Sequence, residues 1–214
     1  MAGVKTYGGR GRAGTGSMRA PLAERGEDFY ATPREAVDAF LDIERHQIPP
    51  GKVFEPACGD GAIVLPLRAA GYHVIASDLI DRGCPDASVG DFFATEPPGD
   101  ISAIITNPPY KNAQRFIERA LGFAPYVAML LRLGFLEGFR RKPWLEEFPP
   151  ARVHVASRRL PMMHRGGWDG PRVMGSAVCF AWFVWDVRRV APTTLHWFDW
   201  KESEPAVALE DMLA

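Results

Sequence analysis

Two adjacent prolines, at positions 108 and 109, determine where one strand of this chain must stop. Residues 101–106 (Ile-Ser-Ala-Ile-Ile-Thr) form an apolar, β-branched run suited to a buried strand. Asn107, Pro108, Pro109 and Tyr110 follow directly. Asn107 and Pro108 each precede a proline, so both are pushed toward extended angles, while the two rings fix φ and remove two backbone donors. The result is a stiff segment rich in acceptors. The side-chain oxygen of Asn107 and the carbonyl of Pro108 can accept the two hydrogens of a planar exocyclic amine, and Tyr110 can stack on the attached ring. Acceptors in those positions weaken the nitrogen's conjugation with its ring and turn its lone pair toward an electrophile, so no general base is needed before attack. Asn and Pro also favour turns for backbone reasons alone, and the tetrapeptide by itself leaves that plainer reading open.

A second motif lies upstream. Residues 53–61 (Val-Phe-Glu-Pro-Ala-Cys-Gly-Asp-Gly) predict a short strand, a tight glycine turn and a helix over about 62–70. Gly59 and Gly61 permit positive φ and close approach of a ligand to the backbone. The third glycine of the dinucleotide fingerprint is missing, which favours a nucleoside ligand over a pyrophosphate. Residues 72–77 predict a second buried strand ending at Asp78, nineteen positions after Gly59, where a carboxylate can take both ribose hydroxyls. Asp91 precedes Phe92 and Phe93; it can accept from an adenine amine while a phenyl ring covers the base. Each acid alone also fits a solvated loop or a helix cap. Their order along one αβ unit is what argues for a site.

With these motifs in sequence, residues 27–186 resemble the amino-directed S-adenosylmethionine-dependent methyltransferases, and within them small, phage-type N6-adenine DNA methyltransferases. The segment Phe29-Tyr30-Ala31-Thr32-Pro33 resembles the family's N-terminal cofactor motif, residues 54–61 its glycine loop, Asp78 its ribose acid, Asp91 and Phe92 its adenine pair, and Asn107-Pro108-Pro109-Tyr110 its catalytic motif. The resemblance implies an α/β, Rossmann-like class I fold: a doubly wound, mostly parallel seven-stranded sheet with an antiparallel strand near the C-terminus. It further implies Tyr30, Thr32 and Pro33 at the methionine end of the cofactor, with Glu55, Pro56, Ala57, Gly59 and Gly61 beneath it. Asp78 and Leu79 would lie at the ribose, Asp91 and Phe92 at the adenine, and Asn107 where cofactor and target meet. Methyltransferases acting on protein glutamine, rRNA guanine and RNA adenine resemble the tetrapeptide too. The Tyr-x-Thr-Pro segment and the strand at 180–185 are what favour DNA adenine. A non-catalytic subunit that binds S-adenosylmethionine or nucleic acid is the reading of a different class.

The chain departs from the larger family members in having little length for a recognition domain. Beyond Tyr110 the sequence predicts a helix over 113–123, a strand with its following segment over 126–135, a helical segment around Trp144, and strands near 153–157 and 177–187. Only residues 160–175, rich in Pro, Gly and Met, suit an insertion loop; sequence readout is therefore expected to be short, relaxed or supplied by another subunit. A duplex adenine must leave the stack to reach such a site, and Trp168 is the candidate to stack on it opposite Tyr110; the alternatives are that Met163 packs there or that the role is absent. Residues 132–172 carry nine Lys or Arg against four acids: Arg132, Arg140, Arg141, Lys142, Arg152, Arg158, Arg159, Arg165 and Arg172. Of these, Arg140, Arg141, Lys142, Arg158 and Arg165 are the foremost candidates for phosphate contact.

Composition supports one domain, at residues 27–200, between a basic Gly-rich arm at 1–26 and an acidic tail at 201–214. The 214 residues are 47% hydrophobic, enough for one sizeable core. No apolar run approaches a membrane span and the first thirty residues lack a secretory stretch, so a cytoplasmic location is expected. Cys58, Cys84 and Cys179 lack pair spacing, and the five histidines lack ligand spacing, so neither a disulfide framework nor a metal is expected. The late aromatics, from Phe180 to Trp200, read as core. The expected partner is DNA, bound by a monomer or homodimer.

Overall fold

The computed structural model describes residues 31–162 and 178–202. Its strands are β1 (Lys52–Glu55), β2 (His73–Asp78), β3 (Ser88–Val89), β4 (Ala103–Thr106), β5 (Tyr126–Arg132), β6 (Arg152–Ala156), β7 (Phe180–Asp186) and β8 (Thr194–Phe198). They form one sheet in the order β3-β2-β1-β4-β5-β7-β6-β8. All pairings are parallel except those of β7, which runs antiparallel to β5 and β6. The sheet has eight strands where the sequence led us to expect seven. The added strand, β8, pairs along the outer edge of β6. Its Trp197 is 66% exposed while Phe198 is buried, so the expectation that the late aromatics are core fails at Trp197, where an edge strand has one face without a covering layer.

Four helices flank the sheet: α1 (Arg34–Glu44), α2 (Val64–Ala69), α3 (Ala113–Leu121) and α4 (Lys142–Glu147). The helix α1 starts where Pro33, extended at φ −62° and ψ 140°, hands over to a first turn containing Glu35, a placement that suits both the proline and the acid. Its buried residues, including Ala36, Val37, Phe40 and Leu41, join α2 in packing on one face of the sheet. The helices α3 and α4 cover the other face. Because both faces are covered, β5 and β7 are apolar on both faces up to their last residues, Arg132 and Asp186, rather than alternating. Phe180, Trp182 and Val184 enter one core, and Ala181, Phe183 and Trp185 the other, as the period of two requires. Each fully buried large side chain contributes about 1.5–3 kcal/mol relative to exposure.

Strand β1 has β2 on one side and β4 on the other, both parallel to it. The C-terminal ends of all three therefore open on one edge of the sheet, and the chain reverses its winding between β1 and β4. Such a switch point leaves a crevice in which doubly wound sheets bind ligands.

At the opposite edge, Glu44 accepts hydrogen bonds from Arg152 Nε (2.6 Å) and Nη2 (3.0 Å) and from the Tyr126 hydroxyl (2.9 Å), and its Oε1 lies 2.6 Å from His154 Nε2. Asp186 bridges this cluster to Arg188. Arg152 is only 4% exposed, which corrects its inclusion among the phosphate-tracking residues: its charge is consumed inside the fold.

Candidate functional site

The glycine turn after β1 is built from its own backbone and one carboxylate. Gly59 and Gly61 adopt φ of 55° and 90°, and a Cβ on Gly61 would sit 3.1 Å from Cys84 Sγ, so glycine is required there by both conformation and space. The Gly59 N–H donates to Asp78 Oδ2 (2.8 Å) and the Ile80 N–H to Asp78 Oδ1 (3.1 Å). Asp78 thus ties the end of β2 to the turn after β1.

Around this turn lies a cavity of about 430 Å³. It brings together Thr32, Pro56, Ala57, Asp78, Leu79, Asp91, Phe92, Asn107, Pro108, Pro109 and Tyr110, residues drawn from five separate stretches of sequence. Pro33 and Gly61 line a neighbouring pocket, and Gly59 a small one behind the turn. Asp60, Arg82, Lys111 and Phe116 also line the main cavity, and sequence reasoning missed them. Arg82 follows Asp78 by four residues and lies 3.8 Å from its carboxylate, while Phe116 is one turn into the helix that follows the Asn-Pro-Pro-Tyr segment; both spacings were there to be read.

Asn107 leaves β4 with its amide Nδ2 donating to Thr32 Oγ1 (3.0 Å), which makes the amide oxygen the acceptor end of the side chain. Tyr110, half-buried, has Phe180 at 5.8 Å between ring centroids and the Arg132 guanidinium 4.8 Å over its ring. Asp91 accepts from the Phe93 N–H (2.8 Å), and Phe92 stacks on Phe116 at 4.9 Å. Arg119, from α3, donates to the carbonyls of Phe92 and Thr95, so the helix that starts after the tetrapeptide also holds the Asp91 loop.

Glu55 is wholly buried at the end of β1 and lies behind the cavity rather than in its wall. Burial, reinforced by the charge of Asp78, pushes its pKa from 4.5 up to about 8, against the opposing bonds of Thr106 and the Ala57 N–H. Its proton is retained on folding, so its contribution to stability is complete below pH 4.5 and is lost as pH rises toward 8, with a slope of up to about 1.4 kcal/mol per pH unit. Glu55→Gln is expected to flatten the fall in stability between those values, as read by urea denaturation at a series of pH values. An unchanged slope would mean that Glu55 is ionised in the folded state.

Of the basic candidates, Arg140, Arg141, Lys142 and Arg158 lie among the described residues. Arg158 forms a two-pronged pair with Asp199 (2.9 and 2.8 Å), Lys142 pairs with Glu146, and Arg141 Nη1 donates to the carbonyls of Phe135 (2.7 Å) and Glu137 (2.8 Å). Arg140 is exposed beside Phe139, with its guanidinium 5.5 Å over that ring. Tyr30, Met163, Arg165 and Trp168 lie outside the described residues. Among the described residues no group of three or more His, Cys, Asp or Glu is arranged to hold a metal, and no helix is long and apolar enough to cross a membrane.

No protein-family model matches the chain, and no curated protein does. Solved structures do. A protein from Vibrio vulnificus described as the modification subunit of a type I restriction enzyme is 12% identical over 88% of this chain, with a TM-score of 0.53. The match covers 52% of that subunit, so this chain spans about half its length. A Pyrococcus horikoshii protein described as an RNA methyltransferase is 13% identical, with 74% of this chain and 86% of that one covered and a TM-score of 0.54. The likeness is one of fold: the Rossmann-like, mostly parallel sheet of the methyltransferases, with its antiparallel strand pairing near the C-terminus.

Proposed function

We propose that this protein transfers the methyl group of S-adenosylmethionine to the exocyclic N6 amine of adenine in DNA. The observation that carries the reading is the convergence of Asn107, its amide oriented by Thr32, with Asp78 and Asp91 around one cavity at the switch point of the sheet. The donor set suits the cofactor. Asp60, Asp78 and Asp91 outnumber Arg82 and Lys111 in the walls, which favours a ligand carrying a sulfonium and an ammonium, and the absence of a Cβ at Gly59 and Gly61 keeps the turn compact. Asp78 is the candidate for the ribose hydroxyls, Asp91 and Phe92 for the adenine, and Thr32, Pro56 and Ala57 for the remainder. When bound, the cofactor supplies an electrophilic methyl group.

The chain's own residues supply orientation. Asn107 Oδ1 and the Pro108 carbonyl accept the amine hydrogens, and this interaction strengthens as positive charge develops on nitrogen, so it stabilises the transition state more than the ground state. Pro108 and Pro109 hold these acceptors rigidly. Tyr110 stacks on the flipped base, and the apolar walls of Phe92, Phe93 and Phe116 exclude water.

Labelled S-adenosylmethionine incubated with duplex DNA, single-stranded DNA, RNA and protein, followed by nucleoside analysis, tests the reading. N6-methyladenine in DNA is the expected product. Label confined to RNA or to protein glutamine would overturn the substrate while keeping the chemistry, and no label on any of them would favour a binding subunit.

A further inference from the structure

A second cavity, of about 390 Å³, shares Tyr110 and Lys111 with the first and is otherwise built from the end of β5, the start of α3 and the segment that follows β5. Its charge is the reverse of its neighbour's. Lys111, Arg132 and Arg141 line it and no acid does, whereas three aspartates line the cavity on the other side of the shared residues.

These cations are not accounted for by internal pairing. Lys111 and Arg132 are exposed, and among the described residues none of the three forms an ion pair with a carboxylate. Arg141 is held by backbone carbonyls at 2.7 and 2.8 Å and lies 4.5 Å over the Phe135 ring, and Arg132 lies 4.8 Å over Tyr110. Carbonyls and rings orient a guanidinium without neutralising it. Three like charges collected in one concavity repel each other and raise the local positive potential, an arrangement that an anion relieves. Arg152, Arg158 and Arg188, by contrast, all face carboxylates.

We propose that this cavity is a phosphodiester site, taking the backbone phosphate of the nucleotide whose base reaches Tyr110. The inference rests on the nucleic-acid reading above and deepens it. A nucleotide's phosphate is one sugar away from its base, and the cavity adjoins the ring on which that base stacks. Lys111 supplies a compact point charge and Arg141 a preoriented fork. The two cavities then divide the reactants by charge, the cationic cofactor on the acidic side and the anionic substrate on the basic side.

The test compares Lys111→Gln and Arg132→Gln with Arg189→Gln, which removes the same charge from an exposed position beyond the far end of β7. Affinity for a short adenine-containing duplex is measured across a salt series, together with steady-state methyl transfer and S-adenosylmethionine binding. Each of the first two variants is expected to lower the slope of log affinity against log salt by about 0.9. Each should also raise KM for DNA by about tenfold, and Arg132→Gln, whose side chain does not line the cofactor cavity, should keep cofactor affinity within a factor of three of wild type. Arg189→Gln should leave all three quantities unchanged. Slopes and KM equal to wild type in both variants would overturn the site. If wild type methylates RNA instead of DNA, the same series run on RNA decides the matter: a reduced slope upholds the phosphodiester site although the DNA reading has failed. If the substrate is a protein, both fall together.

Discussion

Asn107→Ala is expected to slow methyl transfer by about 10²–10³-fold, the loss typical of removing one preorganised polar group that acts in the transition state. The Asn107 amide is fixed at its nitrogen end by Thr32 Oγ1 at 3.0 Å, so alanine removes an oriented acceptor rather than a freely rotating one. The lost interaction forms with the charge developing on the target nitrogen; kcat should therefore fall far more than KM for DNA rises. Cofactor affinity should change by less than about tenfold, because Asp78, Asp91 and Phe92 remain. Thr32→Val serves as the companion variant. It preserves volume while deleting the hydroxyl that holds Asn107, and a slowing of about tenfold is expected from a misoriented amide. Since both changes act through one hydrogen bond, the double variant should be little slower than Asn107→Ala alone. Single-turnover rates with labelled cofactor, alongside calorimetric cofactor binding, measure these quantities. A rate for Asn107→Ala within threefold of wild type would remove Asn107 from the catalytic machinery.

The sheet and the front of the site were legible because their signals are local. The runs at 53–55, 72–77 and 101–106 are short, largely apolar and followed by Pro56, Asp78 and Asn107-Pro108, and the structure has β1, β2 and β4 there. Positions of the acids relative to those strand ends could then be counted, and Asp78, Asp91 and Asn107 do line one cavity. The predicted helix over 62–70 is shorter in the structure, Val64–Ala69, because the turn containing Gly59 and Gly61 extends further into it. What escaped the sequence depends on partners distant along the chain. Nothing local to Arg152 distinguishes it from the arginines at 158 and 159; its burial is decided by Glu44, 108 residues away. The amphipathic pattern of α1 is an equally local signal, with Ala36, Val37, Phe40 and Leu41 buried at helical spacing. Strand β8 carries Leu195 and Trp197 on an exposed edge, and its apolar composition suggested core because composition alone does not say that a sheet ends there.

Glu44→Ala is expected to destabilise the fold by about 3–5 kcal/mol, the range for removing one partner from a buried ion pair. Glu44 is 1% exposed and meets Arg152, His154 and Tyr126 at once, so its loss leaves Arg152 buried with only the more distant Asp186 contact at 3.5 Å. Burial alone would raise the pKa of Glu44, but the bonds from His154 and Arg152, with the charge of Arg152 and the Tyr126 hydroxyl, outweigh it and hold the carboxyl below its ordinary value. A lowered pKa means that the stabilisation is present above 4.5 and is lost as pH falls through the folded value, so wild type should lose stability on acidification through this group and Glu44→Gln should lose less. The penalty belongs to the stranded charge rather than to the pair's own strength. Glu44→Leu combined with Arg152→Met should accordingly recover much of what Glu44→Ala loses, because buried pairs replaced whole by apolar groups are often neutral or better. Urea denaturation at pH 7 measures the recovery, and a series from pH 6 down to pH 3, which crosses the window below 4.5, measures the acid effect. The cluster lies at the N-terminal ends of the parallel strands, across the sheet from Asn107, so folded Glu44→Gln protein should retain wild-type kcat. A fall in kcat at full folding would mean instead that the two edges of the sheet are energetically coupled.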